Sequence, residues 1–512
     1  MKLQLLFLLL LLSLTTKAQI EWQKCLGGTN YEYVNSVEQT EDGGYIVAGY
    51  SYSNDGDVTG NHLDSNGYTT ADVWIVKLDA AGTIQWQKSY GGTKFDYGKH
   101  IQQTQDGGFI VAGNSNSNDG DVSGHHGGET IDYWLLKLDS IGTIQWQKSY
   151  GGSGMDELYS IKQTYDGGYV VAGNSDSNDG DVSGNHGYFD YWIINLDSLG
   201  NLEWEKSLGG NYEDFPFSIS QTLDSGYIVA GNTISTNGDI TNSFGFGDCW
   251  VVKLFTNGNI QWQKSFGGSG EDKASSVKQT NDGGYIFVGS TNSTDGDITF
   301  NHGYTDCWVV KLDNLGNISW QYCLGGSGQE NGYNIQFTND GGFIIIGNTD
   351  SNDFDVSGND EGKRNWVVKL DSLGFIQWQK TFGGSHYEYA VSIKQTNDDG
   401  YIFAAITESN DGDVTDNHGG SDYWIVKLGA ATSIKETDKL EPFVYPNPAT
   451  TEITVSGYSP AYLKLCDAVG QTVTESKGSK LYVGNLSQGL YVLQLFDAKG
   501  QQVKTEKVIV AK

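Results

Sequence analysis

The sequence contains very little arginine, and this shortage argues against one class of partner. Arg364 is the only arginine, and the net charge of the 512 residues is −32. Nucleic acid is therefore not an expected partner, because its phosphates are bound by clusters of basic side chains. A strongly acidic surface favours cations or neutral partners such as glycans.

Cysteine is also scarce, and the five cysteines have no regular spacing. A framework of disulfide bonds is therefore not expected. If the turn after Asp313 has three residues, Cys307 and Cys323 oppose each other on one hairpin, and a disulfide between them is one alternative. The other is that both are small core residues.

Long apolar segments are almost absent. A single run, residues 5–12, follows Lys2 near the start of the chain. It is too short to span a bilayer and is typical of a secretory signal peptide. The sequence therefore predicts a signal peptide at residues 1–18, cleaved between Ala18 and Gln19, and no transmembrane segment.

In place of helical periodicity, the chain has a repeat of about 58 residues. All fourteen tryptophans lie in two registers of this repeat. The first register is Trp22, Trp86, Trp146, Trp204, Trp262, Trp320 and Trp378. The second register is Trp74, Trp134, Trp192, Trp250, Trp308, Trp366 and Trp424. A fixed period of this length indicates a propeller or a solenoid.

Each repeat contains four predicted strands, here called a to d. In residues 160–208 they are SIKQT, YVVAGNS, YWIINLD and LEWEKSL. Tight turns join a to b and c to d, whereas a long polar loop joins b to c. Four antiparallel strands repeated seven times predict an all-β fold, a seven-bladed β-propeller over residues 19–428.

The segment IEWQKCLGG, residues 20–28, is a d strand with no blade of its own. The last repeat, in turn, stops after its c strand near Leu428. We therefore expect the N-terminal strand to complete blade seven and close the ring. Closure removes the sheet edge that an open array would expose.

The turns between strands c and d carry the pattern Asp139-x-x-Gly142-x-x-x-Trp146 and its copies. This pattern resembles the tryptophan-docking motif of quinoprotein propellers, shortened by one residue, and more loosely the Asp box of sialidases. The resemblance implies that the tryptophan packs between adjacent blades. It implies no catalytic residue, because neither family's active-site set is identifiable in this sequence.

The chain changes character after the repeats. Residues 429–441 form a polar linker, and the alternating strands of residues 442–512 predict a small C-terminal β-sandwich. Three pieces occur there in order: the sorting motif, Gly489-Leu490-Tyr491 before a long strand, and a lysine-rich last strand. The sorting motif consists of Tyr445, Pro446, Asn447 and Pro448.

These pieces resemble the type A C-terminal sorting domain of type IX secretion substrates in Bacteroidota. The resemblance implies that the type IX translocon and a surface sortase are partners. It also implies secretion across the outer membrane, cleavage in the linker, and an extracellular protein that is either released or attached to surface lipopolysaccharide.

A carboxylate follows each Gly-Gly pair of the d–a loops by four residues, immediately before the innermost strand. The seven carboxylates are Glu32, Asp96, Asp156, Asp214, Asp272, Glu330 and Glu388. By symmetry they are expected to form a ring near the mouth of the channel, where they would attract a cation or bind sugar hydroxyls. Alternatively, each accepts backbone N–H bonds and fixes one blade to the next.

Aromatic residues beside this ring break the symmetry where blades seven, one and two meet. We expect a ligand-binding site there, next to the longest b–c loop, residues 52–71. The alternative is that the rings pack between blades. The predicted site residues are Tyr31, Glu32, Tyr33, Phe95, Asp96, Tyr97, Tyr387, Glu388 and Tyr389.

The b–c loops contain runs such as Asn118-Asp119-Gly120-Asp121, whose oxygens suit calcium. The candidate ligands are Asp119, Asp121, Asp179 and Asp181. The spacing does not fit an EF-type loop, however, and turns stabilised by Asp and Asn side chains are the alternative. No other cofactor is expected.

No nucleophile–base pair, phosphate loop or closed set of metal ligands is identifiable. The sequence therefore predicts a monomeric, secreted or cell-surface binding module for glycan or protein ligands. One alternative is a polysaccharide-active enzyme that uses two ring carboxylates as acid and base. The other is a purely structural or adhesive surface protein.

Overall fold

The computed structural model describes residues 19–359, 362, 364–430, 443–456, 460–467, 471–496 and 502–511. The predicted signal peptide, with Ala18, and most of the predicted linker lie outside the described residues. The chain divides into two compact units, residues 1–431 and 432–512. All regular secondary structure in the described residues is β-strand, so the predicted all-β class is confirmed.

The first unit contains seven four-stranded antiparallel sheets, the blades of a propeller. Blade one is β2–β5 (Glu32–Gln39, Tyr45–Ser51, Asp72–Leu78, Ile84–Tyr90), and blade two is β6–β9 (Asp96–Gln103, Phe109–Ser115, Asp132–Leu138, Ile144–Tyr150). Blade three is β10–β13 (Asp156–Gln163, Tyr169–Ser175, Asp190–Leu196, Leu202–Leu208), and blade four is β14–β17 (Asp214–Gln221, Tyr227–Thr233, Asp248–Leu254, Ile260–Phe266). Blade five is β18–β21 (Asp272–Gln279, Tyr285–Thr291, Asp306–Leu312, Ile318–Leu324), and blade six is β22–β25 (Glu330–Phe337, Phe343–Thr349, Arg364–Leu370, Ile376–Phe382).

Blade seven combines the two ends of the repeat region. It contains β26–β28 (Glu388–Gln395, Tyr401–Thr407, Asp422–Leu428) and β1 (Ile20–Leu26), in the order β1-β28-β27-β26. Strand β1 is antiparallel to β28 and pairs Ile20 with Leu428 and Leu26 with Tyr423. The predicted closure of the ring by the N-terminal strand is therefore confirmed.

The hydrophobic core lies between blades. One cluster, for example, joins Ile46 and Val73 of blade one to Ile101 and Trp134 of blade two. Strands b and c are apolar on both faces because each face packs on a neighbouring blade. The c-strand tryptophans are fully buried, and Trp74 Nε1 donates to Gln87 Oε1 at 2.8 Å.

The d-strand tryptophans pack across blade boundaries. Gly82, in the c–d turn of blade one, has a φ of 76°, and a Cβ there would lie 2.9 Å from the ring of Trp22. Trp22 belongs to β1, in blade seven. The packing implied by the docking-motif resemblance is thus present, and glycine is required both by its backbone angle and by the ring above it.

The predicted opposition of Cys307 and Cys323 is wrong. The c–d turn does contain three residues, since Asp313 N–H donates to the Asn317 carbonyl. A β-bulge then pairs Leu312 with Ile318 but Lys311 with Trp320. This shift of one residue places Cys323 opposite Trp308, and both cysteines are free thiols.

The second unit consists of two small sheets around one core. The strands are β29 (Phe443–Tyr445), β30 (Glu452–Ser456), β31 (Tyr462–Cys466), β32 (Thr472–Lys477), β33 (Lys480–Tyr482), β34 (Gly489–Phe496) and β35 (Gln502–Val510). The sheet orders are β29-β30-β33 and β32-β31-β34-β35. Ile453, Leu465 and Leu493 are buried in one cluster, in agreement with the predicted small β-sandwich.

Among the described residues, none forms a helix long and apolar enough to cross a membrane.

Candidate functional site

The ring carboxylates are buried between blades, and none of the seven is exposed to solvent. Asp96 illustrates their environment. Its Oδ2 accepts bonds from Gly92 N–H at 2.7 Å and Ser117 Oγ at 2.9 Å, and its Oδ1 accepts one from the Ser115 hydroxyl. The equivalent Gly N–H bond is made to Glu32, Asp156, Asp214, Asp272 and Glu330.

A second set of buried carboxylates faces the first across six of the seven blade boundaries, and Arg364 stands at the equivalent position of blade six. The set stands at the start of strand c and consists of Asp72, Asp132, Asp190, Asp248, Asp306 and Asp422. Gly91 lies between the two sets, because a Cβ there would be 2.6 Å from Asp96 Oδ2 and 2.7 Å from Asp72 Oδ1. The sequence analysis missed this second set, although its position before the buried tryptophan is regular.

The loop histidines bind these c-strand carboxylates. His62 Nδ1 lies 2.6 Å from Asp72 Oδ2, and the His62 N–H donates to the same oxygen at 2.8 Å. Burial lowers the pKa of His62, but the bond to Asp72 outweighs it, so that the pKa is raised. The same ring contact is made by His126, His186, His302 and His418.

Burial also raises the pKa values of several ring carboxylates. Removal from water, with the neighbouring Asp72 charge, raises the pKa of Asp96 to about 6 despite its hydrogen bonds. The pKa values of Asp156 and Asp214 are likewise raised to about 6 by burial.

This burial contradicts the prediction of an open carboxylate ring at the channel mouth. Glu32, Asp96 and Glu388, predicted as ligand-binding residues, have no surface to offer a ligand. Their side chains point into the blade boundary and bind the d–a loop, as in the alternative interpretation.

The calcium candidates are hydrogen-bond acceptors within the loops. Asp119 accepts from Thr93 N–H at 2.8 Å and from Thr93 Oγ1 at 2.7 Å, and Asp179 accepts from Ser153 N–H at 2.7 Å. Asp121 and Asp181 accept longer bonds, both of 3.3 Å, from the N–H groups of Gly91 and Gly151 respectively. Across the described ranges, no group of three or more acidic, histidine or cysteine side chains is arranged to hold a metal ion.

Four of the six predicted aromatic residues, Tyr31, Tyr33, Phe95 and Tyr97, belong to one cluster on blades one and two. The ring centroids of Tyr31 and Tyr33 are 6.5 Å apart with nearly parallel planes, and Phe95 stacks on Tyr97 at 6.1 Å. Tyr50 lies between the two pairs, with its ring centroid 5.0 Å from that of Tyr33 and 4.8 Å from that of Tyr97. These rings do not simply fill the boundary, since Tyr31 is 51% exposed and Phe95 42% exposed.

A cavity of about 420 Å³ opens beside this cluster, and we call it the tyrosine pocket. Its lining residues are Asn30, Tyr31, Tyr33, Tyr50, Tyr52 and Thr69. Thr69 comes from the long b–c loop, which folds into a small hairpin through the bridge between Leu63 and Thr69. The longest b–c loop therefore forms part of the wall of this cavity.

Tyr50 and Tyr52 were missed by the sequence analysis, although a comparison of repeats would find them. Four other blades have asparagine at the place of Tyr50. At the place of Tyr52, four have asparagine or aspartate, such as Asn116, which accepts from Phe95 N–H at 2.8 Å. Blade one therefore replaces the repeat's usual loop contact with an aromatic ring.

The remaining predicted residues lie elsewhere. Tyr387 stacks on Tyr389, which packs on Tyr333 with ring centroids 4.7 Å apart. Tyr389 lines a different cavity, of about 220 Å³, together with Tyr159, Phe217 and Lys99 at the central channel.

The sorting motif forms one edge of the second unit. Asn447 Nδ2 donates to the Lys507 carbonyl at 2.9 Å, and its Oδ1 accepts from Ile509 N–H at 2.8 Å. Tyr445 ends β29 and is 43% exposed. The motif is thereby fixed to the last strand of the chain.

Comparison with protein families identifies the C-terminal part of the chain. Residues 443–511 match the secretion system C-terminal sorting domain. This domain directs export across the outer membrane to the cell surface or the extracellular space. Comparison with curated protein sequences gave no match.

Solved structures with similar folds are only distantly related. Sqt1 from Chaetomium thermophilum is 10% identical over 81% of this chain and 99% of that chain, with a TM-score of 0.41. YCF48 bound to D1 peptide is 9% identical over 81% of this chain and 98% of that chain, with a TM-score of 0.40. Puromycin hydrolase is 8% identical over 91% and 59%, with a TM-score of 0.43. Similarity at this level transfers neither a ligand nor an activity.

Proposed function

We propose that this protein is an extracellular carbohydrate-binding module whose ligand lies in the tyrosine pocket. The observation that carries the proposal is the aromatic departure from the repeat at blade one, where four tyrosines line a cavity of about 420 Å³. Exposed aromatic faces offer sugars an apolar stacking surface, and the Asn30 amide and Thr69 hydroxyl supply polar contacts.

Binding, rather than hydrolysis, is favoured by the state of the acids. None of the residues that line the tyrosine pocket is a carboxylate. Glu32, between Tyr31 and Tyr33, is buried and accepts bonds from Gly28 N–H and Ser51 Oγ. Asp55, in the neighbouring b–c loop, accepts a bond from Thr29 N–H at 2.8 Å. Glycoside hydrolysis needs two carboxyl groups that reach the scissile bond from opposite sides.

Export is part of the same proposal. The sorting domain takes the chain through the type IX machinery, and a surface sortase would cleave in the linker of residues 429–441. The propeller then acts outside the cell, either released or attached to the surface. Its acidic surface suits a neutral glycan better than an anionic one.

A glycan array probed with the purified chain, followed by calorimetric titration of the best ligand, tests the proposal. We expect weak binding, with dissociation constants of roughly 10 μM to 1 mM, because an open pocket must offset the cost of ordering the sugar. Tyr31→Ala and Tyr52→Ala should each weaken binding about tenfold or more.

The matched control is Tyr304→Ala, which removes a tyrosine that is 75% exposed on another b–c loop. It should leave affinity unchanged, and all three variants should melt within a few degrees of the parent chain. A reducing-sugar assay on the same ligands separates the alternatives. Released sugar would favour the enzyme, whereas an array without any specific signal would favour a structural surface protein.

A further inference from the structure

The central channel of the propeller is lined by the innermost strand of each blade, and its charge differs from that of the whole protein. The penultimate residues of these strands form one layer: Glu38, Gln102, Lys162, Ser220, Lys278, Gln336 and Lys394. The layer contains three lysines and one acid, in a chain with a net charge of −32.

Only one of the three lysines has a counter-ion. Lys394 Nζ lies 3.0 Å from Glu38 Oε1. Lys162 and Lys278 have no acidic side chain within ion-pair distance in the described part of the chain. Burial, with repulsion from Lys394, lowers the pKa of Lys162 to about 8, and the pKa of Lys278 is also well below its ordinary value. A nearby anion would offset both the burial of the two ammonium groups and the repulsion between them and Lys394.

Hydrogen-bond donors lie directly beside the lysines. Two residues earlier in each innermost strand, the side chains are Ser36, His100, Ser160, Ser218, Ser276, Asn334 and Ser392. Together with Lys162, Lys278 and Lys394 they line a cavity of about 70 Å³. The Ser160 and Ser218 oxygens accept N–H bonds from the next blade, so their O–H hydrogens can serve another acceptor.

The lysines can be reached from solvent at one end of the channel. Lys162 and Lys278 also line a second cavity of about 270 Å³, among the turns that join strands a and b. Its rim includes Tyr165 and Leu223, which are 62% and 71% exposed. A solute entering by this mouth meets two cationic side chains before it meets the serine layer.

We propose that Lys162 and Lys278 bind an oxyanion, the phosphate, sulfate or carboxylate group of a small solute that enters from the a–b turns. The ammonium groups neutralise the anion, and the serine hydroxyls donate to its remaining oxygens. The smaller cavity holds several waters or one such group. This site lies among other residues than the tyrosine pocket and does not depend on it.

Titration of the purified full chain with inorganic phosphate, at constant ionic strength set with sodium chloride, tests the proposal. The double variant Lys162→Gln/Lys278→Gln should weaken phosphate binding by about tenfold or more, because charge-assisted bonds are lost. It should still fold, since Gln102 and Gln336 occupy the same position in blades two and six.

The matched control is Lys148→Gln/Lys264→Gln. It removes the same charge from outer strands, where the two lysines donate to Asn201 and Asn317. It should leave phosphate affinity unchanged. Equal weakening by both double variants would mean a non-specific effect of net charge and would overturn the site, as would phosphate binding no tighter than chloride.

A second readout does not depend on affinity. Because repulsion and burial favour the neutral amines, anion binding near pH 8 should be accompanied by proton uptake. The titratable groups that face one another here are Glu38, Lys162, Lys278 and Lys394 of the lysine layer and His100 of the neighbouring serine layer. Calorimetry in buffers of different ionisation enthalpy should show the uptake in the parent chain, and its absence there would count against the proposal.

Discussion

The blade boundaries and the tyrosine pocket use the same loops for different purposes. At the boundaries, an acid such as Asp96 is buried and accepts bonds from its own d–a and b–c loops, and the arrangement repeats around the ring. In blade one, the adjacent positions carry Tyr31 and Tyr33, which face a cavity. The contacts that repeat hold the ring together, whereas the residues that depart from the repeat line the cavity in which we propose that a ligand binds.

The most severe disruption of the repeated boundaries is removal of β1. A chain that starts at Gly27 after the signal peptide lacks the strand paired with β28 and the buried Cys25 and Leu26. The edge of β28 would be exposed, and Trp22 would no longer cover Gly82. We expect a loss of cooperative unfolding or a melting temperature lower by more than about 10 °C, measured by calorimetry.

The control for this truncation is Glu21→Ala, which alters an exposed side chain of β1 without removing the strand. It should change the melting temperature by only a few degrees, because Lys427, the partner of Glu21, also forms an ion pair with Asp398. An unchanged melt for the truncated chain would show that the ring does not need its N-terminal strand.

The features visible in the sequence are those that recur with the repeat. The repeat of Trp22 and of the strands around it was enough to predict the blades and the closing strand. The packing across boundaries was implied by the resemblance of the c–d turns to a known docking motif. The direction of the ring carboxylates was not visible, because the first residue of a strand can face either the channel or the neighbouring blade. The hydrogen-bond donors around Asp96, and the close approach of Gly91, determine that the side chain faces the neighbouring blade.

Two other features could not be derived from local patterns. Tyr50 and Tyr33 are seventeen residues apart in the sequence and meet only because strands a and b pair within blade one. The bulge opposite Lys311 has no compositional signal, yet it moves Cys323 away from Cys307. Both depend on backbone geometry that a spacing argument does not contain.

A smaller perturbation of the boundaries is a change in pH. The pKa values of Asp96, Asp156 and Asp214 are raised to about 6 in the folded chain from an ordinary value of 3.8. The folded state therefore binds more protons than the unfolded state between these values, and stability is lost as pH rises through 6. Lowering the pH from 7.5 to 5 should raise the melting temperature by several degrees.

The opposite trend should follow at lower pH. Asp42 and Asp106, paired with Lys77 and Lys137, have pKa values lowered to about 2, so their contribution is lost as pH falls below about 4. Calorimetry across pH 3 to 8 should thus show a maximum. Asp156→Asn, which keeps the shape but not the charge, should reduce the gain between pH 7.5 and 5. A melting temperature that falls steadily from pH 7.5 would contradict this account.

The smallest effect is expected from calcium. Its addition tests whether the acids of the b–c loops only stabilise the loops, as the buried acids stabilise the blade boundaries, or bind a cation. Asp119 and Asp179 already receive N–H bonds from the facing d–a loop, so a cation would have to displace Thr93 and Ser153. Adding 1 mM calcium or EDTA should therefore shift the melting temperature by less than about 1 °C, since an ion that binds only the folded state would stabilise it detectably. Asp119→Asn, which retains an acceptor oxygen for Thr93 N–H, should respond to calcium as the parent chain does. If calcium instead raised the melting temperature of the parent chain by several degrees, and this rise were lost in Asp119→Asn, these loops would be calcium-binding sites.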